Sequence, residues 1–115
     1  MSYDIFLYEK RFLRRALDED LGDWRSADPI SDDKLRVIRE RLKSKGYLTE
    51  DESEFELPNS KWGLQVSVFK GEVAFGIPYG DDADAAIETA RADAMELAKL
   101  TELGFYDPQT GEAIT

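Results

Sequence analysis

The 115-residue sequence contains no cysteine and no histidine. Without cysteine the chain has no disulfide framework, no thiolate nucleophile and no thiolate metal site, a composition that fits a reducing cytoplasm. Without histidine it lacks the commonest general acid or base and the commonest metal ligand. Any catalysis would therefore have to use carboxylates or the side chains of Lys, Tyr, Ser or Thr.

Long apolar runs are also missing, since none approaches the roughly 18 residues that a membrane-spanning helix needs. Asp4, Glu9 and Lys10 interrupt the apolar stretch near the N-terminus, so we expect no signal peptide. Hydrophobic residues make up 42% of the chain, which is enough for a single core at this length. We therefore expect one cytoplasmic domain over residues 1–115.

Basic residues are scarce in the second half of the chain. Residues 1–45 hold eleven Lys and Arg against ten Asp and Glu, whereas residues 46–115 hold four Lys and Arg against fifteen Asp and Glu. The resulting field repels nucleic acid and membrane headgroups and attracts basic proteins. The alternative interpretation is that the negative charge serves solubility alone.

Hydrophobic alternation predicts the strands. Residues 3–8 read as a strand that is apolar on both faces, which favours a central position. Residues 61–69 and 72–77 read as a hairpin around a two-residue turn at Lys70 and Gly71, and residues 54–57 read as a short edge strand. Residues 105–106 and 113–114 look like short extended pieces on either side of a turn. The hairpin has a shallow second face that either lets a helix approach or binds a partner.

Helical spacing and capping residues predict three helices. They cover residues 9–20, residues 31–45 with Ser31 as N-cap and Gly46 as the stop, and residues 81–103 with Gly104 as the stop. Asp81, Asp82 and Asp84 occupy the start of the third helix, where they satisfy its dipole and would repel a phosphate. The element order β-α-α-β-β-β-α-β indicates an α+β fold with a largely antiparallel sheet of four or five strands.

Five carboxylates within seven residues form the densest charge cluster of the chain: Glu50, Asp51, Glu52, Glu54 and Glu56. They either guard an edge strand against aggregation or form a docking surface for a basic protein. The exposed carboxylates predicted on the third helix are a second choice for such a surface. Trp24, in a loop without periodicity, is either a lid on the core or an anchor for a partner.

The two ends of the chain carry short motifs, Met-Ser-Tyr-Asp-Ile at residues 1–5 and Tyr-Asp-Pro-Gln-Thr-Gly-Glu at residues 106–112. These motifs, which cover about a tenth of the chain, resemble a group of small, poorly characterised bacterial proteins. Some members look like immunity proteins of polymorphic toxin or contact-dependent inhibition systems. The resemblance implies a non-enzymatic bacterial protein, and it supplies no catalytic residues.

These observations favour a non-enzymatic acidic module that binds a basic protein, with no cofactor and no metal, and its most concrete form is an immunity-type inhibitor of a toxin. The docking residues would be the five carboxylates and Trp24. One alternative is an enzyme that uses carboxylates with a divalent metal at residues 81–84 or 50–56. The other is an adaptor or subunit that forms a homo-oligomer through its sheet edge or through Trp24 and Trp62.

Overall fold

The structure is a computed structural model that describes residues 2–19, 27–58, 63–78 and 83–115. Three helices pack on one antiparallel sheet. The strands are β1 (Ser2–Glu9), β2 (Leu48–Thr49), β3 (Glu54–Glu56), β4 (Gln65–Val68), β5 (Val73–Pro78), β6 (Leu103–Asp107) and β7 (Glu112–Ile114), and the helices are α1 (Lys10–Glu19), α2 (Asp32–Ser44) and α3 (Ala83–Thr101). Among the described residues, none of these helices is long and apolar enough to cross a membrane.

The α+β class, the antiparallel pairing and the three helices are confirmed, but the predicted strand number is wrong. The sheet has seven strands in the order β2-β3-β4-β5-β1-β6-β7, not four or five. β2 and β7 are only two and three residues long, which is too short for alternation to indicate a strand. Because β2 pairs with the outer side of β3, the edge position predicted for residues 54–57 is also wrong.

The central position predicted for β1 is confirmed, since it pairs with β5 on one side and with β6 on the other. Alternation sends Ile5 and Leu7 into a core beneath α2 and α3. Tyr8 points to the opposite face and packs with Phe12 and Leu13 of α1. Both faces of this strand are therefore covered by helices, as its two apolar faces predict.

Alanine brings α3 close to the sheet. Ala86, Ala90 and Ala94 are fully buried at spacings of four, so the helix presents almost no side-chain bulk along this stripe. The opposing strand residues, including Val66, Phe75 and Ile77, fill the space between the helices and the sheet. This layer is the main core.

The ends of two helices test the capping predictions. Ser31 caps α2 as predicted, because its hydroxyl accepts a hydrogen bond from the backbone N–H of Lys34 at 3.3 Å. Gly46 takes the predicted left-handed conformation after α2, with φ +96°. The stop predicted at Gly104 is wrong, since α3 ends at Thr101 and Glu102 takes the left-handed position with φ +56°. Gly104 lies inside β6, where a Cβ would stand 2.7 Å from Leu13 Cδ2.

A buried carboxylate joins the two ends of the described chain. Asp107 is fully buried, and its Oδ2 accepts hydrogen bonds from the Tyr3 hydroxyl at 2.5 Å and from Arg91 Nη1 at 3.0 Å. Its Oδ1 accepts from the backbone N–H groups of Gln109 and Thr110, and Gln109 in turn accepts from the Asp4 backbone N–H. The two terminal motifs are thus parts of one hydrogen-bonded network.

Replacing Asp107 tests this network. Asp107→Asn keeps an oxygen for the turn but removes the charge that Arg91 pairs with, so we expect the free energy of unfolding to fall by about 1.5–3 kcal/mol. Urea denaturation followed by circular dichroism measures the change. Asp28→Asn is the control, because Asp28 makes a longer surface contact of 3.7 Å with Arg15 and should cost under about 0.5 kcal/mol. Equal losses in the two variants would contradict the role of the network.

The left-handed residue at the end of α3 gives a second prediction. Glu102→Gly removes the Cβ that disfavours positive φ, so we expect the free energy of unfolding to rise by about 0.5–1 kcal/mol. Glu102→Ala is the matched control, since alanine removes the carboxylate but keeps the strained Cβ. Thermal unfolding of both variants decides the question. A glycine variant less stable than the alanine variant would contradict the strain argument.

Candidate protein-binding surface

A groove lies at the β2 end of the sheet. It has a volume of about 580 Å³, and its walls come from β2, β3, the loop between them and the neighbouring strand. We call it the acidic groove, and its lining residues are Leu48, Thr49, Glu50, Asp51, Glu54, Phe55, Glu56, Pro58 and Gln65. Four of the five carboxylates predicted as a docking patch are therefore brought together around one depression.

The register of the strands positions these side chains. Glu54 faces Ser67 and Glu56 faces Gln65 across the β3–β4 pair, while Leu48 faces Glu56 across the β2–β3 pair. Directly opposed residues point to the same face of a sheet. Leu48, Glu54, Glu56 and Gln65 therefore all stand on the face opposite the main core, and all four are exposed.

The groove carboxylates form no ion pair with any Lys or Arg of the described residues. Within the described residues, no Lys or Arg nitrogen forms an ion pair with Glu50, Asp51, Glu54 or Glu56. Glu54 Oε2 accepts a hydrogen bond from the Ser67 hydroxyl at 2.8 Å, which orients the side chain without neutralising it. Their combined charge is therefore directed at solvent and at whatever enters the groove.

Asp51 shapes the loop between β2 and β3. Its Oδ1 accepts hydrogen bonds from the backbone N–H groups of Ser53 and Glu54, each at 3.0 Å. These hydrogen bonds favour the charged form of the Asp51 carboxyl and so lower its pKa below the usual value. The bond from the Glu54 backbone N–H makes the largest contribution. The same residue thus fixes the loop and keeps a negative charge at the rim of the groove.

Glu52, the fifth predicted docking residue, lies outside the lining. Its carboxylate pairs with Lys43 of α2, and its backbone carbonyl accepts a hydrogen bond from Arg39 Nε at 2.9 Å. It also has a left-handed backbone, with φ +65°. These contacts hold the loop against α2, so Glu52 positions the other acidic residues and does not itself face the groove.

The carboxylates predicted on the third helix were the second choice for a docking surface, and of these Glu88 and Glu102 are exposed as expected, whereas Asp93 and Glu96 are placed differently. Asp93 and Glu96 do not point freely into solvent, because Lys45 pairs with both of them and Arg41 pairs with Glu96. Hydrogen bonds from Lys45, which makes the larger contribution, and from Arg41 lower the pKa of the Glu96 carboxyl. The Tyr47 hydroxyl donates a hydrogen bond to Asp93 at 2.8 Å. Burial raises the pKa of Tyr47, and this hydrogen bond raises it further. These carboxylates tie α3 to the end of α2.

Other predicted site residues lie outside the part of the chain that the structure describes. Trp24, Trp62, Asp81 and Asp82 belong to this group, whereas Asp84 is an exposed residue in the first turn of α3. Among the described residues, no three Asp or Glu side chains are arranged to hold a metal ion.

The apolar part of the groove could not be predicted from the sequence. Leu48 is 63% exposed and stands beside Glu56, and Pro58 closes the lining after β3. A two-residue strand has no periodic signal, so nothing in the sequence placed Leu48 on the same face as the acidic residues. The surface thus combines negative charge with an exposed apolar side chain.

The turn around Asp51 leads to a testable prediction. Since the backbone hydrogen bonds exist only in the folded chain, the Asp51 carboxyl should titrate below the ordinary Asp pKa of 3.8 in the folded protein and return to that value in urea. Carboxyl carbon chemical shifts measured by NMR across pH 2–6 provide both numbers. A folded-state pKa at or above the urea value would contradict the turn geometry.

Comparison with known proteins returned no match: no family model, no curated protein and no solved structure is significantly similar to this chain.

Proposed function

We propose that this chain is a non-enzymatic protein-binding module whose acidic groove docks a basic segment of a partner protein. The observation that carries the proposal is the convergence on one groove of about 580 Å³ of four exposed carboxylates that have no ion pair among the residues the structure describes. A cationic segment would neutralise these charges, and an apolar side chain next to the cation would cover Leu48.

The position of the charges supports docking over protection of a sheet edge. Charges that guard an edge stand on the edge strand itself. Glu54 and Glu56 instead stand on β3, one strand inside the edge, and point across the sheet face. From there they do little to prevent another strand from pairing with β2, but they are well placed to meet a ligand that lies on the face.

The pairing of the other carboxylates also supports this proposal. Asp93, Glu96, Asp107 and Glu112 are engaged by Lys or Arg side chains of the same molecule. Asp84, Glu88 and Glu102 are exposed without an ion pair among the described residues, but they lie outside the groove, whereas four carboxylates meet within it. A concentrated, unpaired cluster accelerates association with a positively charged partner.

An immunity-type inhibitor is the most concrete form of this proposal. A toxin that acts on nucleic acid presents a basic cleft, and an acidic surface can cover such a cleft through rapid, electrostatically steered binding. The resemblance of the terminal motifs to immunity-like proteins points the same way. Those motifs themselves lie in the Tyr3–Asp107 network, which belongs to the fold and is separate from the groove.

The experiment uses a synthetic ten-residue peptide of alternating Lys and Leu as the probe. Isothermal titration calorimetry compares the wild-type protein with Glu54→Gln/Glu56→Gln at 50 and 300 mM salt. We expect the double variant to bind about 5–30-fold more weakly, since each exposed charge contact is worth roughly 0.5–1 kcal/mol. The wild-type affinity should fall as salt rises.

Glu40→Gln/Glu88→Gln is the matched control. It removes the same number of charges from exposed positions on α2 and α3, so it has the same net charge as the groove variant. Its affinity for the peptide should stay within twofold of the wild type. Equal weakening in both variants would mean that the peptide senses only net charge, and the groove would then not be the docking site.

A further inference from the structure

The sheet face that carries the acidic groove also carries a surface of opposite charge. α1 lies on this face over β1 and β6, where Phe12, Leu13 and Ala16 are buried against Tyr8, Phe6 and Tyr106. Arg11 and Arg14 point away from that buried side, and both are exposed. Within the described residues, neither arginine forms an ion pair with a carboxylate.

The residues around these two arginines keep this part of α1 basic. Lys10 and Arg15 flank them, and Arg15 is engaged with Asp28 and the Phe12 ring. Asp18, one turn beyond Arg14, is an acidic residue on the same exposed side of α1 as the two arginines. We call Arg11 and Arg14 with their basic neighbours the basic surface of α1.

The two surfaces are separated by a short, shallow stretch of sheet. Three inter-strand steps lead from β1 to β3, a distance of about 14 Å at the usual strand spacing. Between them this face carries the small residues Ser67, Ala74 and Gly76, together with the larger side chains of Gln65 and Phe69. A face with a raised basic helix on one side and an acidic depression on the other is complementary to itself.

From this complementarity we infer that two copies of the chain associate face to face about a two-fold axis. The basic surface of α1 in each copy then lies in the acidic groove of the other. In such an isologous contact one patch meets the other twice, so every charge pair is duplicated. The axis passes over β4 and β5, and the two α1 helices lie between the facing sheets, one on each side of the axis.

Exposed apolar residues support the same arrangement. Leu17 of α1 is 40% exposed, Leu48 is 63% exposed and Phe69 is 49% exposed. Leu48 borders the groove, and Phe69 continues the alternation of β4 on this face. Leu17 stands on the exposed side of α1 next to the basic surface. Three of the five large hydrophobic residues that the described chain exposes are thus placed where a second copy would cover them.

This inference concerns a second copy of the chain and so goes beyond the proposed function. The groove would be covered by α1 of the other copy until a more strongly cationic segment displaces it. Dimer formation and peptide binding are then competing equilibria, and each can be measured without the other.

A charge-swap experiment tests the two-fold contact. Sedimentation velocity at 50 mM salt, from 5 to 500 µM protein, should show a concentration-dependent dimer for the wild type that dissociates at 500 mM salt. Arg11→Glu/Arg14→Glu and Glu54→Arg/Glu56→Arg should each weaken the dimer by about a hundredfold or more, because each variant places like charges together twice.

Mixing the two variants in equal amounts is the decisive step. The acidic helix of one variant then meets the basic groove of the other, and the remaining native helix meets the remaining native groove, so both contacts are attractive. We expect a heterodimer with an affinity close to that of the wild-type dimer. A variant that merely failed to fold would not be rescued in this way, and circular dichroism checks the folding of each one alone.

Three results would overturn the inference: a wild-type protein that stays monomeric to 500 µM at low salt, a dimer that survives both charge reversals, or no association in the mixture. The peptide measurement separates this outcome from failure of the proposed function. Arg11→Glu/Arg14→Glu leaves the groove intact, so it should still bind the Lys–Leu peptide if the groove is a docking site. If this variant loses the dimer but still binds the peptide, the basic surface of α1 is needed for the dimer and the groove is still a docking site.

Discussion

Burial of β1 on both faces is the constraint on which the rest of the structure depends. One set of its side chains enters the core beneath α2 and α3, and the other set packs under α1. A strand covered on both sides must lie inside the sheet, so β5 and β6 flank it and the remaining strands extend outward from them. Since α1 follows β1 directly and covers β1 and β6, the opposite end of the same face stays available for the acidic groove.

The carboxylates of the second half of the chain divide by what they contact. Asp107 and Glu112 bind Arg91, which also stacks over the Phe105 ring, while Asp93 and Glu96 bind the basic end of α2. These pairs fix α3 against the sheet and against α2. The acidic residues of the groove make no comparable contact, so their mutual repulsion is not offset within the described molecule. A ligand that supplies positive charge would offset it.

Much of the fold follows from local patterns, because β1, the hairpin at Lys70 and Gly71, and the capped helix α2 each carry their signal within a few residues. β2 could not be predicted, since a strand of two residues has no period and depends on the partner that it pairs with, whereas the extended pieces predicted at residues 105–106 and 113–114 lie in β6 and β7. Gly104 was misassigned because a glycine after a helix usually supplies positive φ. Here Gly104 lies in β6 and leaves room for the side chain of Leu13, whose helix α1 packs on the sheet. The sequence shows that five carboxylates lie close together along the chain. It does not show that Glu52 turns towards α2 while the other four line the groove, because this depends on contacts with α2.

Opposite charges are segregated on one face of this small molecule, with arginines on α1 and carboxylates at the groove. Arg11 and Arg14 form no ion pair with Glu54 or Glu56 of the same molecule, and separated surface charges attract only weakly through water and salt, so the basic surface of α1 contributes little to the stability of its own groove. The same charges gain far more when they meet at contact distance across an interface that excludes water. Arg11 and Arg14 on one side and Glu54 and Glu56 on the other are therefore better explained by intermolecular contacts than by stabilisation of the single chain.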